Sequence, residues 1–222
     1  MEANKPVEVH TNLFGRLKEH KVDIKTAVDV GCYKGEWSKR LKKIYPTVNL
    51  YLVDASDKYT KELNKLGNFI SAYVGQNEEE RDFYHSEQSE TGDSLYLENS
   101  NIKFNSKKIK TKRLMDILPS QTYDYIKMDV QGAELEIIEG SLPLFTKTKW
   151  VQLECPIHPN NKGAPNFAQI VNYMTNSGFQ TFDIENIFYN GKLMCIDFLF
   201  NNITLPQVTV LESKTLEYKI NK

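Results

Sequence analysis

Apolar residues along this chain recur with two periods, and the periods alternate. TNLFGRLKEHK (11–21) places Leu13, Phe14 and Leu17 on one helical face, although Gly15 weakens that helix. TAVDVG (26–31) is a short apolar run ending at a glycine and predicts a strand. EWSKRLKKIYP (36–46) sets Trp37, Leu41 and Ile44 on one helical face, and Pro46 stops it. NLYLVDAS (49–56) predicts the second strand, SDKYTKELNKLG (56–67) a helix ended by Gly67, and NFISAYVG (68–75) the third strand. A polar excursion runs from Gln76 to about Asn101. Beyond it come a strand at 123–130, a helix at 133–141, a strand at 149–155, a helix at 166–178 and a strand at 179–185.

Strands that alternate with amphipathic helices imply a mostly parallel sheet covered on both faces. The series ends differently. In IFYNGKLMCIDFLF (187–200), Asn190-Gly191 lies between apolar runs and predicts a tight hairpin. The last strand should therefore run antiparallel, unlike the all-parallel crossovers of a dinucleotide-binding domain. The expected architecture is an α/β single-domain, Rossmann-like, seven-stranded sheet with an antiparallel last strand. It divides into a partly helical N-terminal segment (1–25), the sheet domain (26–202) and a C-terminal extension (203–222) that reads as an edge addition or tail.

Composition narrows the partners. The 222 residues carry 28 Lys+Arg against 29 Asp+Glu, a balance that disfavours a dedicated nucleic-acid binder. No apolar run is long enough to span a membrane, and the polar start MEANKPVEVH lacks a signal-peptide core. Cys32, Cys155 and Cys195 are odd in number and not spaced as metal ligands, so buried thiols in a reducing cytoplasm are expected.

Candidate chemistry gathers at strand ends. In VDVGCYKGEW (28–37), Gly31 and Gly35 allow a tight turn into a helix N-terminus where a ligand can approach. Asp29 ahead of them would repel a pyrophosphate but suits a cationic amine. Asp54 follows Gly31 by 23 residues, near the spacing at which an acid meets ribose hydroxyls. In KMDVQGAELE (127–136), Lys127 and Asp129 share a strand face. Asp29, Asp54, Gln76, Asp129 and Glu154 all fall at or beside the carboxyl ends of predicted strands, where open α/β sheets bind ligands.

VDVGCYKG, the acid ending strand two and the terminal hairpin resemble a class I S-adenosylmethionine-dependent methyltransferase. YDYIKMDVQGAELEIIEGS followed by WVQLEC, with Phe83 in EEERDFY, resembles more narrowly the FkbM methyltransferase family, over roughly residues 26–200. The resemblance implies that Asp29 meets the methionyl amine of S-adenosylmethionine and that the loop from Gly31 through Cys32 to Gly35 passes beneath methionine and ribose. It also implies that Asp54, with Ala55 beside it, binds the ribose hydroxyls and that a polar residue after strand three, Gln76 or Asn77, meets adenine. Asp129 stands on both the cofactor and the catalytic side.

The implied activity is O-methylation of a hydroxyl on a glycan or secondary metabolite, with nitrogen left open as the acceptor atom. A hydroxyl acceptor benefits from a general base, for which Asp129, Glu154 and His158 are the candidates. His85 and His158 are otherwise ordinary solvated histidines, and Lys127 orients a neighbouring carboxylate. A divalent cation held by Asp129 and Glu154 is the less favoured reading, and no metal ligand set is assigned. IKFNSKKIKTKR (102–113) carries six basic residues and no acid. It reads first as a solvated edge strand and second as a dock for an anionic acceptor. The rival functions are a non-catalytic module that keeps the cofactor fold and a nicotinamide-dependent oxidoreductase. Acceptor choice should rest on the 76–101 excursion and the 156–166 loop, with the N-terminal segment a further candidate.

Overall fold

The computed structural model describes residues 6–158 and 160–205; the expected tail falls almost wholly outside them. The main sheet comprises β1 (Val7–His10), β2 (Thr26–Val30), β3 (Asn49–Asp54), β4 (Asn68–Ser71), β8 (Tyr125–Met128), β9 (Trp150–Pro156), β10 (Phe179–Tyr189) and β11 (Leu193–Asn202). A second, antiparallel sheet holds β5 (Glu80–Ser86), β6 (Ser89–Ser94) and β7 (Asn105–Lys110) in the order β6-β5-β7. The main order is β1-β10-β11-β9-β8-β2-β3-β4. The strands from β4 through β9 in that order pair in parallel, and β11 is antiparallel to both its neighbours.

The predicted hairpin forms where Asn190-Gly191 stands. Gly191 has φ +71, and the Asn190 amide donates to the Lys192 carbonyl at 2.9 Å. The sheet has one strand more than expected, because Val7–His10 pairs with Asn186–Tyr189 and extends the β10 edge.

Two cores cover the two faces. Strand alternation sends Ala27, Tyr125, Trp150 and Leu199 to one side, where they meet Leu13, Phe14 and Leu17 of α1 (Leu13–Glu19) and Trp37 and Leu41 of α2 (Glu36–Ile44). Val28, Ile126, Val151 and Phe200 face the other way. They meet α4 (Leu114–Ile117), α5 (Glu134–Gly140), α6 (Leu142–Phe145) and α7 (Phe167–Asn176) through Leu114, Ile137, Phe145 and Ile170. α7 starts with a capping box between Asn166 and Gln169, which satisfies two otherwise orphaned amides.

Two expected elements are shorter. The helix expected over 56–67 contracts to α3 (Thr60–Leu63). Local bonds take over the preceding residues: the Ser56 amide donates to Asp54 at 2.8 Å and the Lys58 amide to Ser56 Oγ at 3.3 Å. The third strand of the series ends at Ser71 rather than reaching Gly75. The excursion is not irregular chain; β5 and β6 lie within it.

Candidate active site

A cavity of about 680 Å³ opens at the carboxyl ends of β2, β3 and β8 and is roofed by the small sheet. Its floor includes Gly31, Asp54, Ala55 and Asp129; its wall includes Phe83, His85, Ser94 and Lys107. Gly31 has φ +72, and a Cβ there would lie 1.8 Å from the Asp129 carbonyl oxygen. Only glycine permits the two strand ends to approach so closely.

Asp54 ends β3 and accepts two backbone bonds, from Tyr33 at 2.8 Å and from Ser56 at 2.8 Å. Burial raises its carboxyl above the usual range, and those two bonds oppose the rise. Asp29, on β2, is fully buried and does not itself line the cavity. Its Oδ2 accepts from Ser38 Oγ at 2.6 Å, and its Oδ1 has no hydrogen-bond partner. The ammonium of Lys127, also buried, stands 3.5 Å from that oxygen and 3.4 Å from Asp129 Oδ2. Burial opposes the lysine's charge, but Asp129, Asp29 and Asp197 outweigh it, and its pKa lies above the ordinary value. The Cys32 thiol is buried, and desolvation with Asp29 and Asp54 nearby keeps it protonated. All three cysteines are free and buried.

Polar residues of β8, β9, β10 and β11 continue this row across the α1–α2 face. Register pairs Asp29 with Lys127, Lys127 with Gln152, and Glu154 with Asp197. Gln152 Oε1 accepts from Trp37 Nε1 at 2.9 Å and Tyr125 Oη at 2.8 Å, while its Nε2 faces Glu185 and Asp197. Glu154 is half-buried. Burial, with Asp129 and Asp197 beside it, raises its carboxyl well above the usual carboxylate range.

The structure therefore brings Gly31, Asp54, Ala55 and Asp129 to one cavity, with Asp29 beneath and Glu154 beside it. Cys32 and Gly35 shape the turn without lining the cavity; Gly35, at φ +74, caps α2 and faces Leu66 and Leu63. Gln76 and Asn77 are not brought there. Gln76 is exposed and donates to Glu139 at 3.2 Å, and the Asn77 carbonyl accepts from Thr111. Because β4 ends at Ser71, the residues that follow it into the cavity are Ala72, Tyr73 and Val74. His158 is exposed and lies outside the cavity lining, whereas His85 lies within it.

The lining also includes Phe83, which the family resemblance singles out, Tyr33 and Gln131 from within the motifs, and Tyr59, Tyr73 and Ser94, which no motif signals. Tyr33 and Tyr59 meet edge to face at 5.5 Å, as do Tyr73 and Phe83 at 4.8 Å. The period-2 pattern of EERDFYHS was the available signal for the wall strand. Among the described residues, no group of three or more His, Cys, Asp or Glu is arranged to hold a metal ion, and no helix is long and apolar enough to cross a membrane.

This core, with its reversed β11 and glycine turn after β2, defines a Rossmann-like class I methyltransferase fold. Solved structures agree on the fold. Magnesium protoporphyrin IX methyltransferase of Synechocystis PCC 6803 with bound S-adenosylhomocysteine superposes with a TM-score of 0.51 at 12% identity, over 86% of this chain and 80% of that one. A candidate tRNA (m1A22) methyltransferase of Streptococcus pneumoniae, in complex with S-adenosyl-L-methionine, gives 0.51 at 10% identity, over 90% and 77%. No curated protein sequence matches the chain significantly. The Methyltransferase FkbM domain model matches residues 29–181, and the chain belongs to that family.

Proposed function

We propose that this protein is an S-adenosylmethionine-dependent methyltransferase acting on a hydroxyl of a glycan or small metabolite. The observation that carries the reading is the convergence of Gly31, Asp54 and Asp129 on one cavity, with the buried Asp29 carboxylate beneath it, hydrogen-bonded to Ser38 and ion-paired with Lys127. An acceptor-only carboxylate oxygen fits a cationic amine. Asp54, fixed by the Tyr33 and Ser56 amides, keeps lone pairs for a vicinal diol. The site thus fits S-adenosylmethionine, which supplies an already activated methyl group when bound.

The chain's own part is alignment and proton removal. Glu154 is the proposed base. Its raised carboxyl lies in the direction that a base working near neutral pH requires. Lys127 bridges Asp29 and Asp129 with one buried cation. The small-sheet wall, with its aromatic and polar lining, borders the acceptor end.

Calorimetric titration with S-adenosylmethionine, its demethylated product and NAD tests the cofactor. Binding of both sulfur nucleosides and not NAD is expected; binding of NAD alone would refute the reading. Transfer of label from S-[methyl-14C]adenosylmethionine into a glycan or metabolite extract then identifies the acceptor.

A further inference from the structure

Gln131 occupies the turn between β8 and α5 with φ +56, a left-handed backbone uncommon for a residue with a side chain. Its neighbours hold it there. The buried carboxylate of Glu134 accepts from the Val130 amide at 3.0 Å and from the Gly132 amide at 3.0 Å. From the small sheet, Ser94 Oγ donates to the Gln131 carbonyl at 2.8 Å. The result is a side chain aimed across the strand ends. Its Nε2 donates to Asp129 Oδ1 at 2.8 Å and to Glu154 Oε2 at 2.9 Å.

An amide NH₂ has two hydrogens to give, and here each goes to a different carboxylate. Asp129 is thereby held between two donors, Gln131 on Oδ1 and Lys127 on Oδ2. Glu154 accepts from Gln131 on Oε2, and the Cys195 thiol bonds the same carboxylate. A glutamate at position 131 would replace these donors by a third carboxylate facing two others. Packing alone does not call for a left-handed glutamine whose both hydrogens are spent on acids.

We propose that Gln131 is a positioning residue that fixes Asp129 and Glu154 relative to each other. This rests on Glu154 as the base in the reading above. In the step, the hydroxyl proton passes to the Glu154 carboxylate as the acceptor oxygen bonds the methyl carbon and the carbon–sulfur bond breaks. Gln131 remains a donor throughout.

The test reads Glu154 directly and needs no acceptor. Glutamate Cδ labelled with carbon-13 is titrated by NMR in wild type, Gln131→Gly and Gln131→Glu, with the Glu154 signal assigned by its loss in Glu154→Gln. The charged and titratable groups facing Glu154 are Asp129 just after β8, with Lys127 behind it, Asp197 and Cys195 on β11, and Glu134 on α5. Glycine accepts the φ of position 131, so Gln131→Gly removes the amide without straining the turn. Its Glu154 midpoint should rise by about one pH unit, and that of Gln131→Glu by more. A Gln131→Gly midpoint within about 0.3 units of wild type overturns the proposal, given the scale of shift a lost charge-assisted donor produces. Calorimetry with S-adenosylmethionine on the same samples separates the readings. Failure of wild type to bind counts against the methyltransferase reading, while the Glu154 midpoints still decide the role of Gln131.

Discussion

The Asp29 carboxylate and the Lys127 ammonium lie 3.5 Å apart, side by side on β2 and β8, and both are buried. Removing one partner leaves the other's charge without compensation, which typically costs 3–5 kcal/mol. Lys127→Met should therefore lower stability by about that amount, read by chemical denaturation. Asp29→Ala should abolish S-adenosylmethionine binding as well, because it also removes the carboxylate proposed to meet the methionyl amine. Tight binding by Asp29→Ala would assign the residue to architecture alone.

Asp54 is already anchored by two backbone amides, so its side chain is presented with little freedom. Hydrogen bonds to a charged group contribute about 1.5–3 kcal/mol. Asp54→Ala should weaken cofactor binding by roughly 10- to 100-fold in calorimetry. A change of less than about twofold would exclude a ribose contact at a bond of that strength.

Glu154→Gln should leave cofactor affinity near wild type and slow methyl transfer by about 10²-fold or more, the range typical of a lost general base. In wild type the rate should fall with decreasing pH at a midpoint above the ordinary carboxylate range, because burial raises Glu154. Equal loss of binding in Glu154→Gln and Asp29→Ala would refute the division of roles.

Burial raises Glu134 from 4.5 to about 7, against three stabilising backbone bonds. A carboxyl whose folded pKa exceeds its unfolded one contributes stability that is full below about 4.5 and lost as pH rises through about 7. Relative to Glu134→Gln, wild type should therefore lose about 3 kcal/mol of stability between those values. Denaturation midpoints at pH 4.5, 6 and 8 check the sign; a difference that grows with pH would contradict it.

Basic residues of the 102–113 stretch are largely committed. Lys108 pairs with Asp82, Lys110 with Glu78 and Arg113 with Asp116, and Lys107 sits over the Tyr73 and Phe83 rings. Methyl transfer should change little between low and high salt. A steep fall would instead favour an anionic acceptor drawn by surface charge, whose reach is screened beyond about 10 Å at 0.1 M.

The parallel core and its reversed end were legible because each depends on local pattern: period-2 runs, period-3.6 runs and one Asn-Gly turn. β1 was not. Val7–His10 acquires its partner only from Asn186–Tyr189, far along the chain, and a four-residue exposed strand carries too little apolar signal to announce that pairing. The excursion was opaque for a related reason. SETGDS in β6 has no apolar residue, so its strand character comes from pairing with β5. In the site, Asp29, Gly31, Asp54 and Asp129 were visible as strand-end residues. Gln76 and Asn77 were misplaced with the end of β4, since NFISAYVG stays apolar past the point where pairing stops. Gln131 stood inside KMDVQGAELE, but its role could not be read there because it depends on a positive φ that sequence does not display.

The cavity's floor and wall belong to different sheets. The floor strands are clamped between two cores. The wall joins them through a short backbone seam near Tyr73 and Lys112 and through side chains such as Tyr73 against Phe83 and Ser94 on the Gln131 loop. On the proposed function, substitutions on the wall should reshape the acceptor end while the cofactor's seat stays in place, so that the two halves of the reaction would be open to change at different rates.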